Sequence, residues 1–324
     1  MYHPIQFQPQ IRKSHQILKI TENGSEQVPQ QIAVFGRIDS VNHRNFTVNY
    51  GDTNGDGIRD IQFQNPIVIA SPISFNGGDA AVARVSNVTG STFDIKIQET
   101  DFLPVSDGSV NPGGHVSETV HYMVVEAGTW QLDDGSLLKA NTLTTNQVAE
   151  KGFEPISFGT PFEDVPIVLS QTQTIADQSF VFTRQRNLSS SGFEIALQEE
   201  ERNIKSGHAA EVVGYLAFDP ISPTGVGAWN GNDYLANRTQ VGFDHRFRDL
   251  SFESVFEESP NFVAQVDSFY GADPAFLRYR NIGAGGVKLR VQEDLTKDLE
   301  TGHLPESVSY FAIEGSGVLS AIPV

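Results

Sequence analysis

The sequence predicts an all-β chain, built as tandem antiparallel β-sandwiches with no substantial helix. Three observations carry this. First, the chain says nearly the same thing three times. Segment 82–90 leads to 93–97 and then to Gln98 and Glu99; 182–190 leads to 193–197, Gln198 and Glu199; 276–284 leads to 287–291, Gln292 and Glu293. A His follows each time, with a Glu three residues on: His115/Glu118, His208/Glu211 and His303/Glu306. Second, short apolar runs such as 46–50, 67–70 and 166–170 sit between Gly, Asn, Asp and Pro clusters, the punctuation of strands. Third, no stretch shows the 3.6-residue apolar period of a helix.

Residues 1–30, rich in Gln with Lys and Pro, read as an arm that docks on a neighbour. The repeat spacing, roughly 95 residues, then divides the chain into 31–130, 131–225 and 226–324. Units that long can each bury a core. The clearest element is the strand ending each unit. Its alternate positions are Glu118, Val120, Tyr122, Val124 and Glu126 in the first unit. They are Glu211, Val213, Tyr215, Ala217 and Asp219 in the second, and Glu306, Val308, Tyr310, Ala312 and Glu314 in the third. A period of two places each set on one strand face. The intervening positions are also apolar in the later copies, as at Leu216, Phe218, Phe311 and Ile313, so both faces are expected to be covered. Segments 128–136 and 220–231 read as linkers. Each carries one Trp, Trp130 or Trp229, among turn residues. An amphipathic ring there serves either as a sugar-stacking platform or as a plug between domains.

The balance of 22 Lys and Arg against 40 Asp and Glu gives a net charge of -18. That field opposes nucleic acid, which needs a cationic track, and anionic membranes. It suits solubility, salty surroundings or bound cations. With no cysteine, the fold uses neither disulfides nor thiolate-held metal. No apolar run approaches the length of a membrane span. The polar N-terminus lacks the apolar region of a signal peptide. Export is then expected without a cleaved signal, or this segment is mature or internal.

Several of these motifs point to one family. Segment 158–170, Thr183-Arg184 with Asn187, segment 191–195 and segment 214–219 resemble the H-type lectin domain, which includes snail agglutinins and the C-terminal domain of discoidins. The third unit matches through 260–264, Arg278, Gly286 and 310–314; the first matches through 66–70, Arg84, Phe93 and 122–126. The resemblance covers most of 66–314. It implies a six-stranded antiparallel sandwich, a trimeric assembly and binding of galactose-type sugars such as N-acetylgalactosamine. In sugar-binding members an Arg stands four residues before the aligned one. Here Phe180, Pro274 and Ala80 occupy that place, and the acidic run 199–201 replaces a Trp-His pair. The family's sugar residues therefore do not carry over.

Two candidate sites remain. Asp52, Asn54, Asp56, Gly57, Ile58 and Asp60 have the spacing that opens a calcium loop. Side-chain oxygens at its first, third, fifth and ninth positions, with the Ile58 carbonyl, converge on one hard cation. The twelfth position is Phe63, so the bidentate acid of an EF-hand is missing. The alternative is a hairpin turn. The second candidate is the triplicated acid and His set: Glu99, Asp101, His115 and Glu118; Glu199, Glu200, Glu201, His208 and Glu211; and Glu293, Asp294, His303 and Glu306. It reads as a ligand or divalent-cation site in each unit, or as hydrogen bonding internal to the fold. Arg84, Arg184 and Arg278 are natural partners for these carboxylates.

Catalytic motifs are absent: no nucleophile elbow, P-loop or HExxH occurs. The expected role is noncatalytic glycan binding or adhesion at a surface or outside the cell, with calcium stiffening the first unit. Glycans or surface polysaccharide would be the partners, and three sites on one chain would raise avidity. Self-association as a homotrimer, or an intrachain trimer of units, follows from the resemblance and the copy number. The rival is a structural subunit of a surface fibre, appendage or virion that keeps the fold as scaffold.

Overall fold

The computed structural model describes residues 19–20, 26–53, 55–107, 109–203 and 207–324. Eighteen strands fall into three groups of six with the same connectivity. The first group is β1 (Gln30–Val41), β2 (Phe46–Asn49), β3 (Pro66–Ile69), β4 (Ala81–Ser86), β5 (Thr92–Glu99) and β6 (Glu118–Glu126). β7 (Gly128–Gln131) follows. The second group is β8 (Leu137–Thr145), β9 (Glu154–Ser157), β10 (Ile167–Thr172), β11 (Val181–Ser189), β12 (Gly192–Glu199) and β13 (Glu211–Asp219). β14 (Val226–Trp229) follows that. The third is β15 (Asn232–Arg238), β16 (Arg248–Ser251), β17 (Asn261–Val266), β18 (Ala275–Gly283), β19 (Gly286–Glu293) and β20 (Val308–Ile313), followed by β21 (Gly317–Pro323).

In each group the last strand lies between the first and third, antiparallel to both: β1-β6-β3, β8-β13-β10 and β15-β20-β17. The fifth lies between the second and fourth: β2-β5-β4, β9-β12-β11 and β16-β19-β18. Two three-stranded sheets face each other in every group, as an antiparallel sandwich requires. Among the described residues the one helical element is a 3-10 turn, Ala149–Lys151.

The expected linkers are strands. β7 forms a hairpin with β8, and β14 one with β15, so each turn-rich segment lays a strand against the next sandwich. β21 closes the set. It pairs with β1 (Val318 opposite Val34) and meets β7 (Trp130 opposite Pro323). The strand after the third sandwich thus does for the first what β7 does for the second, and the three sandwiches form a closed ring.

Burial follows this closure. Each sandwich has its own interior, exemplified by Phe93 in the first, Phe193 in the second and Phe262 in the third. A further core is shared by all three, gathering Phe35, Met123, Leu138, Leu216, Phe311 and Leu319. Trp130 and Trp229 belong to it, 6% and 0% exposed. Their indole N–H groups donate to the Glu126 and Ser320 carbonyls at 2.9 Å. Of the two roles open to these rings, sugar-stacking platform or plug between domains, their burial is that of plugs. A ring of this size removes roughly 200 Å² from water, worth about 5 kcal/mol of apolar transfer. Val82, Phe180, Phe182 and Phe276 make a small cluster where β4, β11 and β18 converge.

Of the expected N-terminal arm, residues 1–18 and 21–25 lie outside the described residues. Lys19–Ile20 pairs antiparallel with Glu26–Gln27, and the Gln27 amide donates to the Pro323 carbonyl at 3.3 Å.

Candidate functional site

The triplicated acid and His set comes together, at the three seams of the ring. Glu118 and Glu211 open the central strands β6 and β13, and Glu306 stands two residues before β20. Each meets an Arg from a neighbouring sandwich: Arg278 to Glu118 at 2.8 Å, Arg84 to Glu211 at 3.1 Å and Arg184 to Glu306 at 3.3 Å. Each ion pair joins a different two of the three sandwiches. Sequence reasoning paired Arg with these carboxylates, but the partners lie across the seams.

The rest of each seam repeats the same design. His115 faces Glu99 at 2.8 Å through Nδ1 and Glu118 at 2.9 Å through Nε2. His208 faces Glu199 at 3.2 Å and Glu211 at 3.0 Å, and His303 faces Glu293 at 2.5 Å and Glu306 at 3.1 Å. A carboxylate accepts only, so a ring held between two of them donates from both nitrogens and is an imidazolium. Burial pulls the His208 pKa down, but its bonds to Glu199 and Glu211 prevail and raise it to about 9. His115 and His303 rise through the same balance. Burial favours the neutral acid at Glu118, Glu211 and Glu306, yet the His bonds, hydroxyl and amide donors and Arg hold all three below their ordinary range. Ser74, Thr174 and Ser268 donate their hydroxyls to the three carboxylates.

Sequence reasoning missed the amide half of the seam. Arg84, Arg184 and Arg278 donate to Gln98, Gln198 and Gln292 at 2.9, 3.1 and 2.7 Å. Those amides donate onward to the carbonyls of Gln178, Ala272 and Gly78 in the neighbouring sandwich. The signal was present, since each copy carries Gln directly before its Glu.

The remaining acids tie the sandwiches together on the same side. Glu200 accepts the Asp101 amide at 2.8 Å, Asp294 accepts the Glu201 amide at 2.9 Å and Asp101 accepts the Phe180 amide at 3.1 Å. Glu201 pairs with Lys297 at 2.6 Å. Burial and the neighbouring Asp101 push Glu200 up to about 7. Arg84, Arg184, Arg278, Glu118, Glu211 and Glu306 are each 0% exposed as residues. Such a set has no surface to offer a soluble ligand. Among the described residues no cluster of three or more His, Asp or Glu is placed to hold a metal ion. Of the two readings of these residues, these distances support hydrogen bonding internal to the fold: they are spent on one another. The cavity lined by Val82, Phe182 and Phe276 measures about 30 Å³, room for water but not for a sugar.

The calcium-type loop lies between β2 and β3. Asn54 is outside the described residues. The Asp52 carboxylate accepts the Gly55 and Gly57 amides at 2.8 and 2.9 Å, and Asp56 accepts the Ile58 amide at 2.7 Å. Asp60 accepts from the Thr53 amide at 3.2 Å and its hydroxyl at 2.8 Å. Gly55 and Gly57 take φ of +77° and +82°, which bends the chain around Asp52. Among the described residues Asp52, Asp56 and Asp60 are not gathered into a metal-holding group, and their carboxylates are turned to the loop's own amides and hydroxyl. Phe63, at the place of a twelfth ligand, is 5% exposed and stacks on Tyr50.

An open groove of about 390 Å³ runs between the first and third sandwiches, lined by Arg37, Asp39, Asn76, His121, Tyr279 and Asn281. No helix of the described residues is long and apolar enough to cross a membrane.

No protein-family model matches the chain, and no solved structure matches it. Among characterised proteins it is similar to halomucin of Haloquadratum walsbyi, 31% identical over 263 residues. The match covers 78% of this chain and 3% of halomucin, so the chain spans a small fraction of that protein's length.

Proposed function

We propose that this chain is a noncatalytic structural module of a surface or extracellular protein, using an H-type-lectin-like fold in three copies as scaffold. One observation carries the reading: the Arg and Glu pairs and the His that recur in all three units are buried in the seams, so what repeats there is the means of ring closure. Six strands per sandwich and a ring of three agree with what the family resemblance implies. Similarity to a stretch of halomucin supports a place outside the cell. The net charge of -18 supports a salty or cation-rich medium.

Glycan binding is the second reading, favoured by the groove between the first and third sandwiches. Its Arg37, Asp39, Asn76 and Asn281 supply donors and acceptors, and Tyr279 a ring. A glycan array with calcium and with chelator separates the two. Folded protein that binds nothing supports the scaffold, and binding removed by free sugar replaces it with a lectin. Where the protein acts is tested by fractionation of the native host and protease treatment of intact cells.

Calcium belongs to this proposal as a brace on the loop. Bound to the native state alone, it raises the melting temperature by mass action. Asp52→Asn is expected to abolish that rise. A melting temperature indifferent to calcium in the unaltered chain would leave the loop a plain turn.

A further inference from the structure

We propose that Asn45, Asn87 and Asn187 are acceptors for N-linked glycans, presented on exposed turns of the first two sandwiches. The inference rests on the reading of this chain as extracellular, since glycan transfer to Asn accompanies export.

Asn87 directly follows β4, and Asn187 occupies the equivalent place at the irregularity near the end of β11. Both are exposed. Both take the left-handed conformation, with φ of 49° and 52°. Asn281, at the same irregularity near the end of β18, takes the same conformation with φ 54°. The turn explains the Asn in all three, because Asn tolerates this region better than other side chains. It does not explain the residue two places on. That residue is Thr89 in the first copy, Ser189 in the second and Gly283 in the third. The third copy makes the turn without a hydroxyl. In the first two the hydroxyls bond within the hairpin, Thr89 accepting the Thr92 amide at 3.0 Å and Ser189 donating to the Gly192 carbonyl at 2.9 Å. They also complete a triplet with the Asn. Asn-X-Ser/Thr is what a glycan transferase reads.

A third such triplet, Asn45-Phe46-Thr47, is exposed and lies against the same place. The Thr47 hydroxyl donates to Asp94 at 2.6 Å, and the Asn87 amide donates to the other oxygen of Asp94 at 2.8 Å. Asn187 donates to Glu194 at 3.0 Å. Each of these two amide nitrogens carries two hydrogens, and the carboxylate uses one. The other is lost on modification, so the turn survives it. Among the described residues a fourth triplet, Asn237-Arg238-Thr239, is a contrast, and a fifth, at 23–25, lies outside them. Asn237 is half-buried within β15, its amide donating to the Thr224 carbonyl at 3.1 Å and its oxygen accepting from Arg238.

The co-reactant is a polyisoprenyl-phosphate-linked oligosaccharide. The amide nitrogen forms a bond to the anomeric carbon as the bond from that carbon to the phosphate oxygen breaks. The lipid phosphate leaves with the electron pair, and the amide proton passes to a base of the transferring enzyme.

The test is glycopeptide mass spectrometry on protein from the native host, with enzymatic release in heavy-oxygen water to mark each modified Asn as labelled Asp. Expected are glycans at Asn45, Asn87 and Asn187, with Asn237 and Asn281 bare. Thr89→Ala should lose the glycan at Asn87, and Thr89→Ser, which keeps the hydroxyl, should restore it. Gly283 has open space around its Cβ position, so Gly283→Ser should fold and add a glycan at Asn281. Exported protein bare at Asn87 and Asn187 overturns the proposal and leaves the extracellular reading standing. Protein retained in the cell and bare overturns both.

Discussion

Arg184 shows what one residue does in this molecule. Its guanidinium is buried, donates to Glu306 and Gln198, and lies 4.7 Å from the centre of the Phe269 ring. Removing it strands Glu306 with its charge in the interior. Arg184→Ala is therefore expected to destabilise the fold by about 3–5 kcal/mol, measured by urea unfolding. A loss under ~1 kcal/mol, the worth of a surface pair, would contradict the seam as drawn. The His residues add a dependence on pH. The folded pKa of His208, about 9, lies above its ordinary 6.5. Its contribution is full below the ordinary value and is lost as pH rises through about 9, and His115 and His303 act in the same direction. Glu118, Glu211 and Glu306 are depressed, so their contribution is present above the ordinary carboxylate range and is lost as pH falls through their lowered values. Glu200, raised to about 7, costs stability as pH rises from its ordinary 4.5 to about 7, because the unfolded carboxyl ionises first, and that cost persists above. Melting temperature against pH should step down on the way to about 7 and fall again toward 9, with Glu200→Gln removing the first step alone. The residue types at the seams were legible because each occurs three times. That they join different sandwiches was not, because periodicity along a strand says nothing about which sheet packs on its end.

At the level of elements, period two located the central strands. Glu118 and Glu211 begin two of them and Glu306 stands two residues before the third, and apolar residues on both faces marked strands covered on both sides. One face of β13 fills its own sandwich through Val213, Tyr215 and Ala217, and the other reaches the shared core through Leu216 and Phe218. The segments holding Trp130 and Trp229 were misread as linkers because Asp133, Asp134, Gly135, Gly225 and Gly231 dominate their composition. Those residues make the bends flanking β7 and β14, and the strands themselves are only four residues long. β21 is the element whose role no local pattern announces, because its partner β1 is nearly the whole chain away. Leu319, 0% exposed, anchors it in the shared core. Leu319→Ala should cost about 2–5 kcal/mol. Because the neighbouring Ser320 carbonyl accepts the Trp229 indole N–H, tryptophan emission should shift toward that of exposed indole as β21 releases. An unchanged melting temperature would mean that the ring is held without its last strand.

For the whole molecule, the decisive contrast is between charge outside and charge inside. The chain carries a net charge of -18, while each seam balances an Arg and an imidazolium against two carboxylates. Surface charges repel one another through water, where the screening length is about 10 Å at 0.1 M salt and shrinks as salt is added. Buried pairs are screened far less. Salt should therefore raise the melting temperature of the unaltered chain by relieving repulsion among surface acids. The loss caused by Arg184→Ala should stay nearly constant over the same series, because that deficit lies where ions do not reach. Thermal melts of both proteins across a sodium chloride series separate the two effects. If added salt narrowed the gap between them, the seam would be wet and the interior account of its charges wrong. If the unaltered chain were indifferent to salt, its negative surface would not be self-repelling. The halves are independent because ring closure turns the Arg, His and Glu of the seams inward and leaves the other acids nearer the surface.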